Sequence, residues 1–357
     1  MINEVSFKNF RGLRALKLYD LAPITLISGK NNAGKSSILE GIFLLFDHQT
    51  PESFHKINNF RGLSILSNPN SAWEAIFYNL DMTSCVNISV RTDEQYYTLK
   101  YERDTSYIPN EGLNAPQDVI NQMVTSAKTS STLRFHFEDD QGYREKGHFV
   151  FSPTSMMRNI DTSEPQNIMR PMPFVQYINS AIIQNEGQIT DWFGNLELQG
   201  KKSKIIDILK IIEPGISDVL TIALRGQPQL YARVNDQLLP LKLTGDGVNK
   251  LLFMILAIIQ NPNSLILIDE IETGFHYSMY QKLWSVIATA AKENNCQIIA
   301  TTHSYECING VVEGINRKSL EDDFCFYRIE HKDNENKAFR YSGALLYSAV
   351  NTNMEVR

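Results

Sequence analysis

The chain has 357 residues, 43% of them hydrophobic and 21% charged, with a formal net charge of −6. That size and composition fit one large or two modest globular domains with a real core, and the acidic balance argues against a surface coated for nucleic acid while leaving room for a local basic groove. Four scattered cysteines, Cys85, Cys296, Cys307 and Cys325, form no C-x-x-C pair, which argues against a zinc site or a disulfide framework and points to a reducing cytoplasm.

The opening MINEVSFKNFRG has no apolar h-region, so no signal peptide is expected. ITLIS, residues 24–28, reads as a short buried strand. GKNNAGKSS follows and fits G-x-x-x-x-G-K-[ST], with Gly29, Gly34, Lys35 and Ser36 in the fixed places. Asn31, Asn32 and Ala33 fill the loop, and Ser37 follows it. Ile38, Leu39, Ile42, Phe43 and Phe46 then recur at helical spacing. Strand, glycine loop and helix are the context that a phosphate-binding loop needs. The glycines let backbone N–H groups aim at phosphate oxygens, and the helix N-terminus adds positive dipole. Lys35 can reach the β and γ phosphates and Ser36 can ligate Mg2+. ATP and Mg2+ are the expected cofactors.

Residues 50–72 and 106–128 are polar and mixed, and read as loops and helices. Residues 87–103 and 131–152 alternate like strands and suit an antiparallel subsheet of the nucleotide lobe. Asp139-Asp140-Gln141-Gly142 reads as a hairpin turn, its acidic pair serving turn chemistry rather than a metal. Residues 161–173, rich in proline and methionine, look like a linker. GKKSKIIDILKIIE, residues 200–213, is an amphipathic helix with lysines at its start. It is the most basic spot in the chain, a solvated face or a meeting point for DNA or an acidic partner. No heptads and no internal repeat are present, which excludes a long coiled-coil arm.

LTGDGVNKLL, residues 243–252, has a polar, glycine-broken head and an apolar tail, and a helix is expected over 248–260. The apolar run 251–259 is well short of the roughly 20 residues that span a bilayer. In SLILIDEIETGFH, residues 264–276, the four residues 265–268 read as a strand buried on both faces of a parallel sheet. Its C-terminal end, where such folds place ligands, carries an acidic pair. Asp269 suits Mg2+, and Glu270 suits the orientation and polarisation of the attacking water. CQIIATTHSYE, residues 296–306, repeats the pattern, ending at Thr302-His303-Ser304. There His303 can donate a hydrogen bond to a γ-phosphate. The tail FCFYRIEHKDNENKAFRYS reads as a hairpin turning around residues 332–336.

The order G-x-x-x-x-G-K-S, T-G-x-G, D-E and T-H-S resembles the ABC-type ATPase heads, and more closely the group of SMC, RecF and OLD-type ATPases. Asn9-Phe10-Arg11-Gly12 resembles the N-terminal NFRG element of that group. Glu272-x-Gly274-x-His276 resembles its D-loop, and Glu355-Val356-Arg357 the close of stand-alone ATPases related to OLD. The resemblance covers roughly residues 1–48 and 173–357. It implies an α/β fold, a P-loop NTPase of the ABC-ATPase head type with a mixed central sheet, an antiparallel subsheet and a helical lobe inserted between Walker A and signature.

The implied organisation is a single domain in two lobes. Residues 1–50 and 85–155 make the N-terminal part of the nucleotide lobe, with insertions at 50–85 and 104–130. Residues 173–243 make the helical lobe, and 244–357 the signature, Walker B, switch histidine and closure. Thr244, Gly245 and Gly247 stand where the signature loop touches the γ-phosphate of an opposite subunit, with Asp246 and Val248 departing from LSGGQ. Asp246 as a simple helix cap is the alternative. Arg11 is either a nucleotide contact or a surface turn residue, and Gln176 lies in the region of a Q-loop glutamine.

The implied function is an ATP-hydrolysing switch that forms sandwich dimers or larger assemblies. It would control a separate toxin or nuclease in bacterial anti-phage defence, since about 50 residues after Ser304 are too few for a Toprim nuclease domain. The alternative is a RecF- or SMC-like ATPase of DNA repair or maintenance that binds DNA. No membrane partner is expected.

Overall fold

The computed structural model describes residues 1–62, 73–106, 131–151, 156–161, 172–179, 186–224, 226–316, 323–333, 335–352 and 354–356. The expected insertion at 104–130, the linker at 161–173 and the second half of 50–72 lie largely outside these residues.

In chain order, β1 (Ile2–Phe10), β2 (Leu13–Tyr19) and β3 (Ile24–Gly29) lead through the glycine loop into α1 (Lys35–Phe46) and α2 (Ser53–Asn59). Then come β4 (Val86–Thr92), β5 (Tyr96–Arg103), β6 (Ser131–Asp139), β7 (Arg144–Phe151), β8 (Met156–Ile160) and β9 (Val175–Ile178). α3 (Glu186–Leu198) and α4 (Lys202–Leu209) precede β10 (Ile216–Leu224), β11 (Gln227–Val234) and β12 (Gln237–Pro240). α5 (Asp246–Gln260), β13 (Leu265–Ile268), α6 (Tyr280–Glu293), β14 (Gln297–Thr301) and α7 (Tyr305–Asn316) follow. β15 (Phe324–Lys332), β16 (Glu335–Ser342) and α8 (Gly343–Asn351) close the described chain. The architecture is α/β, with a mixed central sheet, antiparallel subsheets and helical insertions.

Met1–Leu21, Asn31–Met172 and Ile329–Ala338 make one compact unit. Its antiparallel sheet has the order β2-β1-β4-β5-β6-β7-β8. The alternation legible in the sequence turns Tyr97, Leu99 and Tyr101 of β5 and Leu133, Phe135 and Phe137 of β6 inward. Phe54 of α2 meets Tyr101, Phe149 and Phe151 edge-on, with ring centroids 5.4, 5.5 and 5.6 Å away. Each such ring, fully buried, contributes roughly 1.5–3 kcal/mol. The β6–β7 turn uses its aspartate as expected: Asp139 Oδ1 accepts from the N–H groups of Gln141, at 3.0 Å, and Tyr143, at 2.8 Å. α1 lies close on β1 because Gly41 has no side chain there; a Cβ would sit 2.4 Å from the Phe7 ring.

Ala22–Lys30, Pro173–Arg328 and Phe339–Arg357 make the second unit. The six-stranded sheet has the order β16-β15-β3-β14-β13-β9, with β3, β14, β13 and β9 parallel. LILI of β13 and QIIAT of β14 are buried at every position, which is why they read as unbroken apolar runs rather than as alternation. α5 is buried along most of its length, and Trp284 of α6 and Val311 of α7 are fully buried in the same core. The stretch expected as a helical lobe, 173–243, holds more than helices. β9 enters the central sheet, and β10, β11 and β12 form a three-stranded antiparallel sheet beside α3 and α4. The helix expected over 200–213 runs over Lys202–Leu209. Among the described residues, no helix is long and apolar enough to cross a membrane.

Candidate functional site

The site is built on one edge of the parallel strands. Leu26 of β3 pairs with Ala300 of β14, and Ala300 with Ile268 of β13. In parallel strands that register brings the three C-terminal ends to the same edge. There stand Gly29, which opens the glycine loop, the Asp269–Glu270 pair, and Thr302–His303.

Thr301 organises the acidic pair. Its hydroxyl donates to Asp269 Oδ1 at 2.6 Å and accepts from the Glu270 N–H at 2.8 Å. The Asp269 N–H donates to the Ile178 carbonyl of β9 at 2.7 Å. Glu270 has φ 47°, a left-handed conformation that a side chain adopts only under restraint. The restraint is visible. The Thr273 N–H donates to the Glu270 carbonyl at 3.0 Å, and the Thr273 hydroxyl to Glu270 Oε2 at 3.3 Å. From α5, Lys250 Nζ donates to the carbonyls of Glu270, at 2.7 Å, and Thr273, at 3.2 Å. Lys250 is 8% exposed. Burial pushes its ammonium down to about 8, against the pull of Glu272, Glu270 and Asp269. His303 turns its backbone N–H and its Nδ1 onto one oxygen of Glu272, each at 2.8 Å, and its side chain is half exposed.

The Thr244–Gly247 loop opens α5 in the same unit. Gly245, with φ 113° and ψ 150°, takes the N-cap position, and no side chain caps the helix. Asp246 lies in the first turn and is not the cap. The Thr244 hydroxyl donates to the Leu241 carbonyl at 2.6 Å, and Asn249 Nδ2 reaches the Leu241 and Gly245 carbonyls at 3.1 and 2.8 Å. Gly247 packs directly on the turn that follows Glu270: a Cβ there would lie 2.6 Å from the Gly274 carbonyl oxygen.

The rest of the glycine loop belongs to the first unit. Asn32 and Gly34 have φ 65° and 96°, the conformations a phosphate-loop turn requires. Asn31 is exposed and Ala33 buried; Lys35 and Ser36, half-buried, start α1. Asn336 Nδ2 donates to the Ala33 carbonyl at 3.3 Å, while its Oδ1 accepts from the Arg14 N–H at 3.3 Å. Ser37 is buried, and its Oγ accepts from Arg61 at 3.2 Å. Arg11 is buried, its Nε 3.0 Å from Glu40 of α1, a carboxylate that Arg61 grips from the other side at 2.7 and 2.9 Å.

The structure thus gathers Gly29, Thr244, Gly245, Gly247, Asp269, Glu270 and His303 in one unit. Arg11, Asn31, Asn32, Ala33, Gly34, Lys35, Ser36 and Ser37 are in the other. Gln176 lies in β9, its Nε2 donating to the Tyr177 carbonyl at 3.0 Å. The sequence reading missed Lys250, Thr301 and Asn336. Lys250 alone left a trace, as a lysine immediately before the apolar run 251–259 of its helix. The oxygen donors fit Mg2+, which takes one or two carboxylates, keeps several waters and uses substrate phosphates.

A family model described as AAA ATPase domain matches residues 1–185 and 176–308. An ATP/GTP phosphatase of Helicobacter pylori is 23% identical over 354 residues, spanning 93% of each chain. Two solved heads share the fold. One is an SMC head bound to the C-terminal winged-helix domain of ScpA, with TM-score 0.53 and 12% identity over 98% of this chain and 99% of the other. The second is an SMC head with an extended coiled coil bound to the C-terminal domain of ScpA, from Pyrococcus furiosus. It has TM-score 0.51 and 10% identity over 99% of both chains.

Proposed function

Because the chain belongs to the AAA ATPase domain family and is an ATP-hydrolysing enzyme, we propose that it works as an ATP-gated clamp of the SMC and RecF kind. In this reading it closes as a dimer on ATP, engages DNA, and opens on hydrolysis. The observation that carries it is the single sheet edge bearing Gly29, Asp269–Glu270 and His303, with the Thr244–Gly247 loop packed on the turn after Glu270.

The division of labour follows from the side chains. Lys35 and the loop amides take the phosphates, with Asn31, Asn32, Ala33, Gly34 and Ser37 shaping the loop. Ser36 and Asp269 would hold Mg2+, which would offset the charge of the phosphates. Glu270, restrained by Thr273 and Lys250, orients the attacking water, and His303 meets the γ-phosphate. Thr244, Gly245 and Gly247 serve the nucleotide of a second copy. Arg11 acts on α1 through Glu40.

DNA maintenance takes precedence over control of a toxin or nuclease in anti-phage defence. The two solved heads described above are SMC heads with a ScpA domain bound, which supports a separate protein partner of that kind. The defence role rests on the family resemblance alone.

The test uses Glu270→Gln, which should bind ATP and turn it over very slowly. Trapped with ATP, it should retain duplex DNA with steep salt dependence and co-purify a stoichiometric partner from its host. Lys35→Ala is the control. DNA retention no better than that control, with a small toxin or nuclease bound instead, would replace the clamp by the defence switch. GTP run beside ATP decides the base preference that the Helicobacter pylori relative leaves open.

A further inference from the structure

Glu272 lies just beyond the acidic pair and, unlike it, is buried, at 5% exposure. Its Oε1 accepts from the backbone N–H of His303 at 2.8 Å and lies 2.8 Å from Nδ1 of the same residue. A bare ring nitrogen would repel a carboxylate oxygen at that distance, so the contact calls for the ring hydrogen on Nδ1. Its Oε2 is buried without a hydrogen-bond partner among the described residues, a cost to stability that a purely structural carboxylate would not carry. Its charge is felt nearby: the Cys307 thiol is pushed up to about 12, by burial first and by Glu272 next, and Glu272 leads the charges that pull Lys250 back up. Glu270 is the more obvious partner for the histidine, but its Oε2 accepts from the Thr273 hydroxyl at 3.3 Å.

We propose that Glu272 is the positioning residue of His303: by holding the backbone N–H and Nδ1–H on one oxygen it fixes the ring, so that Nε2 is the nitrogen left to meet the γ-phosphate. This rests on reading His303 as the γ-phosphate contact. Glu270 is thereby left to the water alone.

Two measurements on the full chain test it. The first is nitrogen NMR of 15N-histidine-labelled protein, with His303→Asn to assign the signal. A hydrogen on Nδ1 in wild type, lost in Glu272→Ala, is expected; a bare Nδ1 in wild type overturns the proposal whatever the enzyme does.

The second is steady-state hydrolysis. Glu272→Ala should lower kcat roughly 10- to 100-fold, the scale of losing a partner that orients a functional histidine, with KM for ATP near wild type. Glu272→Gln, whose carbonyl oxygen still accepts both bonds, should recover part of the loss and guards against a variant that fails to fold. The double variant Glu272→Ala/His303→Ala should be no slower than His303→Ala alone. Additive losses, or a Glu272→Ala enzyme as fast as wild type beside a slow His303→Ala, overturn it. A His303→Ala enzyme with wild-type turnover would instead remove the role given to His303 above, and the NMR result would still decide what holds the ring.

Discussion

At the scale of single residues, burial decides which titrations matter. His48 is 1% exposed, stacks on Phe137 at 3.9 Å, and its Nδ1 donates to the Leu45 carbonyl at 2.9 Å. Desolvation pushes it down to about 4, against the raising effect of that carbonyl. The folded state therefore binds fewer protons than the unfolded chain between about pH 4 and 6.5. Stability is fully present above pH 6.5 and is lost as pH falls through that window, by up to about 3 kcal/mol. His48→Phe, which keeps a ring against Phe137, should remove this part of the acid sensitivity; urea midpoints of both proteins at pH 5 and pH 7.5 measure it. In the proposed reading Lys35 acts through its charge rather than its packing, so Lys35→Ala should fold normally and lose ATP binding, as titration calorimetry would show.

At the scale of elements, the start of α5 is held against the turn after β13. Two features tie them: the Gly247 backbone against the Gly274 carbonyl, and Lys250 on the carbonyls of Glu270 and Thr273. Gly247→Ala would put a methyl 2.6 Å from the Gly274 oxygen and 3.2 Å from the Phe275 ring. A backbone oxygen cannot swing aside as a side chain can, so α5 or the turn must shift. The expected outcome is a loss of about 1–3 kcal/mol, as for other overpacked contacts, and a hydrolysis rate on the order of 10-fold lower as Glu270 is displaced. Thermal melting and steady-state turnover read the two effects separately. Wild-type turnover in a melted-down variant would confine the contact to stability.

At the scale of the whole molecule, the Thr244–Gly247 loop has work that one chain does not complete in the clamp reading. Leu243 is 72% exposed, and Gly245 and Asp246 are exposed beside it. Nothing lies within 4 Å of a Cβ built on Gly245, so that glycine is needed for its φ of 113° and not for room. Gly245→Asp should therefore leave the core and ATP binding intact while straining the loop and placing a negative charge against a second copy's phosphates. In the Glu270→Gln background with ATP, light scattering should show a dimer that Gly245→Asp abolishes. An undiminished dimer would reduce LTGDG to the entry of a helix.

By itself the sequence determined the parts whose signals are local. The phosphate loop is a run of fixed residue types between a strand and a helix, and β13 and β14 announce themselves as apolar runs because both faces are covered. The hairpins of the first unit show the period of two, and the aspartate of the β6–β7 turn its usual chemistry. The tertiary structure decided what depends on neighbours distant in the chain. β9 is a four-residue strand whose identity comes from pairing with β13, and β10–β12 were hidden inside a stretch read as helical. Arg11, which the sequence leaves as a nucleotide contact or a surface turn residue, is buried against Glu40, a partner 29 positions away on α1. Lys250 and Glu272 owe their states to burial and to carbonyls and rings brought to them by other elements. Periodicity and motif spacing report what a residue does for its own segment, whereas a buried charge is defined by its partners.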